Sequence, residues 1–216
     1  MAQACFGGPE ALLVVDLQYD FLPGGALAVP RADEIVGPIA SFARRFDTVV
    51  ATQDFHPPGH VSFASAHPGG QPFQTIRWGA GETARDQVLW PDHCVAGTDG
   101  AGLVRELPDD ALTLILRKGT RLDVDSYSAF REERDQRGQR RTTGLGAWLR
   151  ARGVVGLFVV GLAQDFCVRA SAVDAVDEGF DVTVIAELTR PVWPQRLAQT
   201  DAALVAAGVH LRAELG

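Results

Sequence analysis

One apolar run and the cysteine that follows it constrain the fold of this chain more than any other feature. Residues 156–162 are seven apolar residues in a row, enough for a buried strand and too few for a membrane span. Small and polar residues come next, then Cys167 and a helical pattern that ends at Gly179. Cys167 is thus predicted in the first turn of a helix, where unpaired N–H groups and the helix dipole favour a thiolate. The alternative is an unreactive buried residue, as most free cysteines are.

Apolar runs and helical patterns alternate along the rest of the chain. Further strands are predicted at 11–16, 48–54, 112–118, 181–186 and 209–212, and helices after residue 30, near 143–152 and at 194–207. Nearly continuous Val, Ile and Leu runs that alternate with helices predict an α/β fold, with a parallel sheet covered on both faces. A chain of 216 residues is expected to form one domain over 1–216.

Reactive side chains recur where the predicted strands end. Asp16, Asp54 and Lys118 each close an apolar run, and Cys167 follows another. Ligands of parallel α/β sheets bind beyond the carboxyl ends of the strands, so we expect these four side chains at one rim. There Asp16 could take the proton of the Cys167 thiol while Lys118 holds the charges of both. The competing explanations are that Asp16 only caps a turn and that Lys118 only faces water.

A second constellation lies in a long irregular stretch from about residue 56 to 100, and a loop of that length is usually functional. Asp54 and His56 are two residues apart, so an extended chain projects both to the same side. With His93 they form a carboxylate and imidazole set that suits Zn²⁺, Fe²⁺ or Mn²⁺ without choosing among them. Weaker ligand candidates are His60, His67 and Cys94. The alternative is that loop histidines are only solvated, which is the preferred interpretation for His67.

Composition argues against several classes of function. The formal charge of −7 disfavours nucleic acid and anionic membranes as partners. Basic residues cluster at 131–141, but acidic residues are interleaved, which favours a solvated surface helix or lid. Residues 1–10 lack a signal-peptide pattern, and no stretch reaches the ~18 apolar residues of a membrane helix. Dinucleotide, P-loop and serine-hydrolase motifs are absent. Three cysteines without a pairing pattern (Cys5, Cys94 and Cys167) favour the reducing cytoplasm.

Six segments carry a resemblance to a known family: residues 16–21, 54–63, 89–95, 118–119, 125–130 and 160–168. With them the chain resembles the isochorismatase-like cysteine hydrolases, and most closely their nicotinamidase (pyrazinamidase) branch. The pair Asp-x-His-Pro-x-x-His and Trp-Pro-x-His-Cys is specific to that branch. Tyr19, Gln164 and the segment 189–194 depart from the family pattern, and the first two are expected to border the pocket and to affect substrate preference.

The resemblance implies a single-domain, doubly wound, six-stranded parallel sheet with helices on both faces, a Rossmann-like three-layer sandwich. It implies a metal-dependent cysteine amidohydrolase of NAD salvage that deamidates nicotinamide, and also pyrazinamide, through a thioester. The implied triad is Asp16, Lys118 and Cys167. A cis peptide between Leu162 and Ala163 is implied as well, with an oxyanion hole made by the N–H groups of Ala163 and Cys167.

The resemblance also implies a divalent metal, with Zn²⁺ favoured over Fe²⁺ and Mn²⁺. Its ligands are Asp54, His56 and His93, and His60 lies near them or is itself a ligand in some members. The aromatic walls around the pyridine ring are Phe21, Trp90 and Tyr127.

Two alternative functions stay open. The chain could be a related cysteine amidohydrolase for another small amide or carbamoyl compound. It could also be a catalytically idle interaction module, which predicts a broken triad position, and none is broken here. The expected partner is a small-molecule amide, with neither nucleic acid nor membrane; a homo-oligomer is compatible with the sequence, and the expected location is the cytoplasm.

Overall fold

Six strands form the central sheet of this structure, a computed structural model that describes residues 9–79, 81 and 84–214. They are β1 (Glu10–Val15), β2 (Val49–Asp54), β5 (Leu114–Lys118), β6 (Gly156–Leu162), β7 (Asp181–Arg190) and β8 (His210–Arg212). The spatial order is β5-β2-β1-β6-β7-β8, and every neighbouring pair is parallel. The predicted six-stranded parallel sheet is confirmed.

Helices cover both faces of the sheet, which is why its central strands are apolar throughout. On one face Leu12 and Val14 of β1 pack in a core with Ile39 and Phe42 of helix α1 (Val36–Ala43). The other face of β1 packs in a second core with residues of the remaining helices. These are α2 (Leu145–Ala151), α3 (Arg169–Asp177) and α4 (Leu197–Ala206). The α/β class with helices on both faces is therefore confirmed.

The order of the strands places a crevice between β1 and β6. The chain builds outward from β1 through β2 to β5 on one side, and from β6 through β7 to β8 on the other. β1 and β6 pair along their length, from Glu10 opposite Gly156 to Val15 opposite Gly161. The connections from the carboxyl ends of these two strands diverge, and ligands bind at such a switch point in open α/β sheets.

Two local expectations are wrong. Residues 131–141 contain no helix: Arg131 bridges to Thr142, and the Asp135 carboxylate accepts the N–H groups of Arg137 and Gln139. The stretch 56–100 is not wholly irregular, because β3 (Thr75–Trp78) and β4 (Arg85–Val88) pair as an antiparallel hairpin. Strands of four residues are too short to give a clear periodic signal.

Some expectations from the sequence concern residues at the amino terminus. Cys5 and most of the segment tested for a signal peptide lie outside the described residues. Within the described parts of the chain, no helix combines the length and the apolar character that crossing a membrane requires.

Candidate active site

The four predicted rim residues meet at the crevice between β1 and β6. Asp16 directly follows β1, Asp54 and Lys118 end β2 and β5, and Cys167 lies five residues beyond β6. All four side chains are buried. Asp16 has a φ of +46°, a left-handed conformation that Asp adopts more readily than most residues. Parallel pairing of the strands therefore brings residues up to 151 positions apart in the chain to one rim.

Lys118 is the centre of this group. Its Nζ lies 2.8 Å from Asp16 Oδ2, 2.7 Å from Asp54 Oδ1 and 3.4 Å from Cys167 Sγ. It also donates to the Ser126 carbonyl at 3.1 Å. Burial alone would lower the pKa of this ammonium, but the two carboxylates outweigh burial and hold it well above its ordinary value. Lys118 is therefore charged, and the sequence did not predict its contact with Asp54.

The surroundings of Cys167 disfavour a thiolate, opposite in direction to the expectation from its place at the start of a helix. The residue lies in a π-helical turn (Gln164–Val168) that precedes α3. Burial raises the pKa of the Cys167 thiol well above its ordinary value; Lys118 opposes that rise, and Asp16 adds to it. Ionisation of the thiol therefore requires a base at contact distance.

Asp16 is placed to be that base. Ligand atoms of Asp16, Asp54 and Cys167 all lie within 4.8 Å of one another. Burial raises the pKa of the Asp16 carboxyl, partly offset by Lys118. A carboxylate with a raised pKa holds a proton more readily, so it is a better acceptor for the thiol proton than an exposed aspartate is.

Thr52 is a contact of the site that the sequence analysis missed. Its hydroxyl donates to Asp16 Oδ1 at 2.7 Å and accepts the Asp16 N–H at 3.0 Å. Both residues are fully buried. Thr52 lies inside β2, where a threonine in a strand pattern carries no signal of chemistry.

Asp54, His56 and His93 form a cluster that could hold a metal ion. Asp54 Oδ2 lies 3.5 Å from His56 Nε2 and 3.9 Å from His93 Nε2, and one ligand atom of each lies within 4.8 Å of the others. The far ring nitrogens face carbonyl oxygens: His56 Nδ1 faces Gly119 at 2.9 Å, and His93 Nδ1 faces Pro91 at 2.8 Å. Since a carbonyl only accepts, each Nδ1 carries hydrogen and each Nε2 lone pair is free for a cation.

The electrostatics of the cluster match such a donor set. Burial and the neighbouring His56 lower the pKa of His93 to about 4, so this imidazole is neutral. Burial also opposes charge on His56, but Asp54 outweighs it and raises the pKa of His56, so a proton on this ring competes with a metal ion for the same carboxylate-facing position. The residues thus fit a divalent ion, with one carboxylate, two oriented imidazoles and room for further ligands.

Gly119 makes room for His56. It has a φ of +64°, and a Cβ there would collide with His56 Cε1 and lie 2.6 Å from Nδ1. The Lys118-Gly119 pair thus combines an ammonium for one half of the site with space for an imidazole in the other.

The weaker ligand candidates lie outside this cluster. His60 stacks on His56 with ring centroids 4.2 Å apart. Its Nδ1 accepts from the Ser62 backbone N–H at 3.3 Å, and its Nε2 faces the Val124 carbonyl at 3.1 Å, so both nitrogens are engaged. His67 is half-buried with Nε2 2.8 Å from the Val61 carbonyl, and it lies outside the ligand cluster, as expected. Cys94 is buried.

A small aromatic cavity opens beside Cys167 and the metal cluster. Its wall contains the three predicted aromatic residues, Phe21, Trp90 and Tyr127, and also Leu27, Ala163, Phe166 and Val192. Trp90 Nε1 donates to the Tyr127 hydroxyl at 3.1 Å, which fixes the two rings relative to each other.

Two of the residues that depart from the family pattern, Tyr19 and Gln164, lie away from this cavity, whereas Val192 of the departing segment 189–194 lines it. Gln164 is buried behind it, where its amide donates to Asp201 at 2.7 Å and accepts the Thr189 hydroxyl at 2.7 Å. The Tyr19 ring is 37% exposed, and its hydroxyl accepts the Arg105 N–H at 3.1 Å. The expectation that Tyr19 and Gln164 border the pocket is wrong. The peptide between Leu162 and Ala163 is cis, as expected.

The chain is similar to known proteins over most of its length. Residues 10–204 match the family described as Isochorismatase domain. The chain is 46% identical over 182 residues to a nicotinamidase of Acinetobacter baylyi. The matched residues make up 84% of this chain and 81% of that protein.

Solved structures give the same result. A nicotinamidase and pyrazinamidase of Acinetobacter baumanii superposes with a TM-score of 0.86 at 43% identity, over 94% of this chain and 95% of that one. A pyrazinamidase of Pyrococcus horikoshii, solved in complex with zinc, superposes with a TM-score of 0.76 at 34% identity, over 94% and 98% of the two chains.

Proposed function

This chain belongs to the isochorismatase family, and we propose that within that family it is a nicotinamidase. The enzyme hydrolyses the carboxamide of nicotinamide to nicotinate and ammonia, a step of NAD salvage, and accepts pyrazinamide as well. Similarity to nicotinamidases along nearly the whole chain supports this substrate. The single observation that carries the mechanism is that one buried ammonium, Lys118, contacts a base, a metal-site carboxylate and a thiol together.

Asp16, Lys118 and Cys167 are proposed as the catalytic triad. Asp16 takes the thiol proton as the sulfur attacks the carbonyl carbon of the substrate, and Lys118 holds the two charges that result. Asp16 then returns the proton to the leaving nitrogen, the C–N bond breaks, and ammonia departs from a thioester on Cys167. A water that gives a proton to Asp16 then attacks the thioester, and the C–S bond breaks. Asp16 returns that proton to the sulfur, which restores the thiol, and the released acid loses its own proton to become the carboxylate.

The N–H groups of Ala163 and Cys167 are proposed to hold the oxyanion of each tetrahedral intermediate. Both residues line the aromatic cavity, on the turn that follows β6. Donors fixed on the backbone need no rearrangement when negative charge develops, so they stabilise the transition state more than mobile side chains would.

Asp54, His56 and His93 are proposed to hold one divalent ion, with Zn²⁺ favoured by the ligand types and by the zinc-bound relative. His60, whose two nitrogens are engaged within the protein, supports the His56 ring and is not a ligand in this proposal. When bound, the ion supplies open coordination positions that accept the pyridine nitrogen. Phe21, Trp90 and Tyr127 are proposed to enclose the flat ring, whose carboxamide then faces Cys167.

Ammonia release and metal content of the purified protein test this function together. We expect ammonia from nicotinamide and pyrazinamide, and much less from benzamide, which has no ring nitrogen for the ion. His93→Ala is expected to lose bound metal and activity. His210→Ala is the matched control, because the His210 side chain is 68% exposed on β8 and is expected to change neither.

Equal rates on benzamide and nicotinamide would contradict the role of the ion. Ammonia from carbamoyl compounds but not from nicotinamide would instead favour the related amidohydrolase. The single domain over 1–216, the cytoplasmic location, any homo-oligomer and the absence of nucleic-acid and membrane partners stay predictions from the sequence.

A further inference from the structure

A second cavity, of about 220 Å³, lies next to the catalytic one. Phe166 lines both cavities, so its ring is the wall between them. Trp193 lines the second cavity and packs on Phe166 with centroids 4.9 Å apart and on Trp90 at 5.8 Å. An aromatic surface therefore continues from the catalytic cavity into its neighbour.

Two unpaired arginines border this second cavity, Arg169 at the start of α3 and Arg196 just before α4. Neither has a carboxylate within ion-pair distance among the described residues, whereas the nearby Arg140 is paired with Asp174 at 2.9 Å. The Arg196 guanidinium lies over the Trp193 ring, 4.1 Å from its centroid. Both arginines are exposed, and both are free to meet an anion that enters this cavity.

Asp165 is the one carboxylate among the described residues that line this cavity, and both of its oxygens are engaged. Its two oxygens accept the N–H groups of Val192 and Trp193, each at 2.9 Å. The arginines therefore leave a net positive charge beside two aromatic rings. A ligand that combines a carboxylate with a flat ring is complementary to both features.

We propose that this second cavity binds the aromatic carboxylate product, pyridine-3-carboxylate, as it leaves the catalytic cavity. The inference rests on the proposed function, in which a neutral amide becomes an anion next to the buried carboxylates Asp16 and Asp54. The product carries one negative charge that the substrate lacks. Arg169 and Arg196 therefore attract the product more than the substrate, and the charge gained in the reaction favours the product at the second cavity.

Indole NMR on the metal-loaded protein reports on both cavities in one titration. Trp90 lines the catalytic cavity, and Trp193 lines the second one. The chain has four tryptophans, so the variants Trp90→Phe and Trp193→Phe are used to assign the indole ¹⁵N–H signals of these two. With nicotinate as the probe, we expect both signals to shift with different apparent Kd values. Neutral 3-pyridinemethanol is expected to show a single Kd, that of the catalytic cavity, and any shift of Trp193 through its stacking on Trp90 follows that same Kd.

The arginines are tested with Arg169→Gln/Arg196→Gln and a matched control. Exposed ion pairs are individually weak, so we expect the double variant to weaken the Kd reported by Trp193 roughly 5- to 10-fold and to leave the Kd reported by Trp90 unchanged. Arg152→Gln is the control, because Arg152 also lies over a tryptophan, Trp148, at 4.4 Å and outside the second cavity. It is expected to change neither Kd.

Three results would overturn the proposal. Two concern the titration with nicotinate: a common Kd for both tryptophan signals in every variant, or no shift of the Trp193 signal. The third is a Trp193 response to acetate equal to that to nicotinate, which would indicate a plain anion site. Nicotinamide hydrolysis is measured separately on the same preparation. Hydrolysis without a second nicotinate site refutes only this inference, whereas absence of hydrolysis refutes the proposed function.

Discussion

Replacing Thr52 by valine tests whether its hydroxyl sets the basicity of Asp16. The Thr52 hydroxyl donates to Asp16 Oδ1 at 2.7 Å and accepts the Asp16 N–H at 3.0 Å, in a part of the site that water does not reach. Valine keeps the branched shape and the strand preference of threonine but can form neither hydrogen bond. The variant therefore removes one stabilising contact to the ionised carboxylate with little change in packing.

The size of the effect follows from that contact. A hydrogen bond to a charged group is worth about 1.5–3 kcal/mol, and one pKa unit corresponds to about 1.36 kcal/mol. The hydroxyl lowers the pKa of Asp16, so its loss raises the pKa further, by about 1–2 units. Asp16 must be ionised to accept the thiol proton. The acidic limb of the rate profile therefore moves to higher pH, the loss of activity is largest at low pH, and activity recovers as the pH rises.

The assay is kcat/KM for nicotinamide against pH, because this quantity reports ionisations of the free enzyme. Thr52→Ser is the matched control, since serine keeps the hydroxyl, and its limb is expected to stay close to that of the wild type. Metal content is measured in parallel to exclude damage at Asp54. An unshifted limb in Thr52→Val, or a loss of equal size at every pH, would refute the reasoning and leave Thr52 a packing residue.

Two further substitutions test the other half of the site. Lys118→Arg is expected to keep the fold but to lower kcat ~10²-fold or more. A planar guanidinium cannot contact two carboxylates and a sulfur in the space of a compact ammonium. A kcat near that of the wild type would contradict this reasoning. Gly119→Ala is expected to displace His56 and weaken metal affinity about 10- to 100-fold, measured by competition with a chelator. Gly153→Ala, at a φ of +74° with open space around the Cβ position, controls for backbone strain and is expected to retain the metal.

The sequence predicted the rim of the sheet because strand ends are visible in it. Asp16, Asp54 and Lys118 each close an apolar run, and the parallel order of the strands then brings them together. Cys167 was placed correctly on the turn after β6, but the expected lowering of its pKa was not found, since burial raises the pKa of this thiol. Position along the chain predicts which groups meet, and only the packed site shows how strongly they are desolvated.

Other features depend on contacts that no local pattern encodes. Thr52 looks like any strand threonine until Asp16 is seen 2.7 Å from its hydroxyl. Phe166 and Trp193 resemble ordinary core residues, and only the return of the segment after β7 brings Trp193 against Trp90. The same holds for Gln164, which borders the pocket in sequence, next to Ala163, but whose side chain points to Asp201.

Mass spectrometry of the peptide that contains Cys167, quenched in acid during turnover of nicotinamide, tests the central claim most directly. We predict that Cys167 carries the mass of a nicotinoyl thioester, and that Cys167→Ala has neither the adduct nor ammonia release while it keeps its fold and metal. Ammonia release by Cys167→Ala at a rate near that of the wild type, with no adduct on the wild-type peptide, would contradict the account.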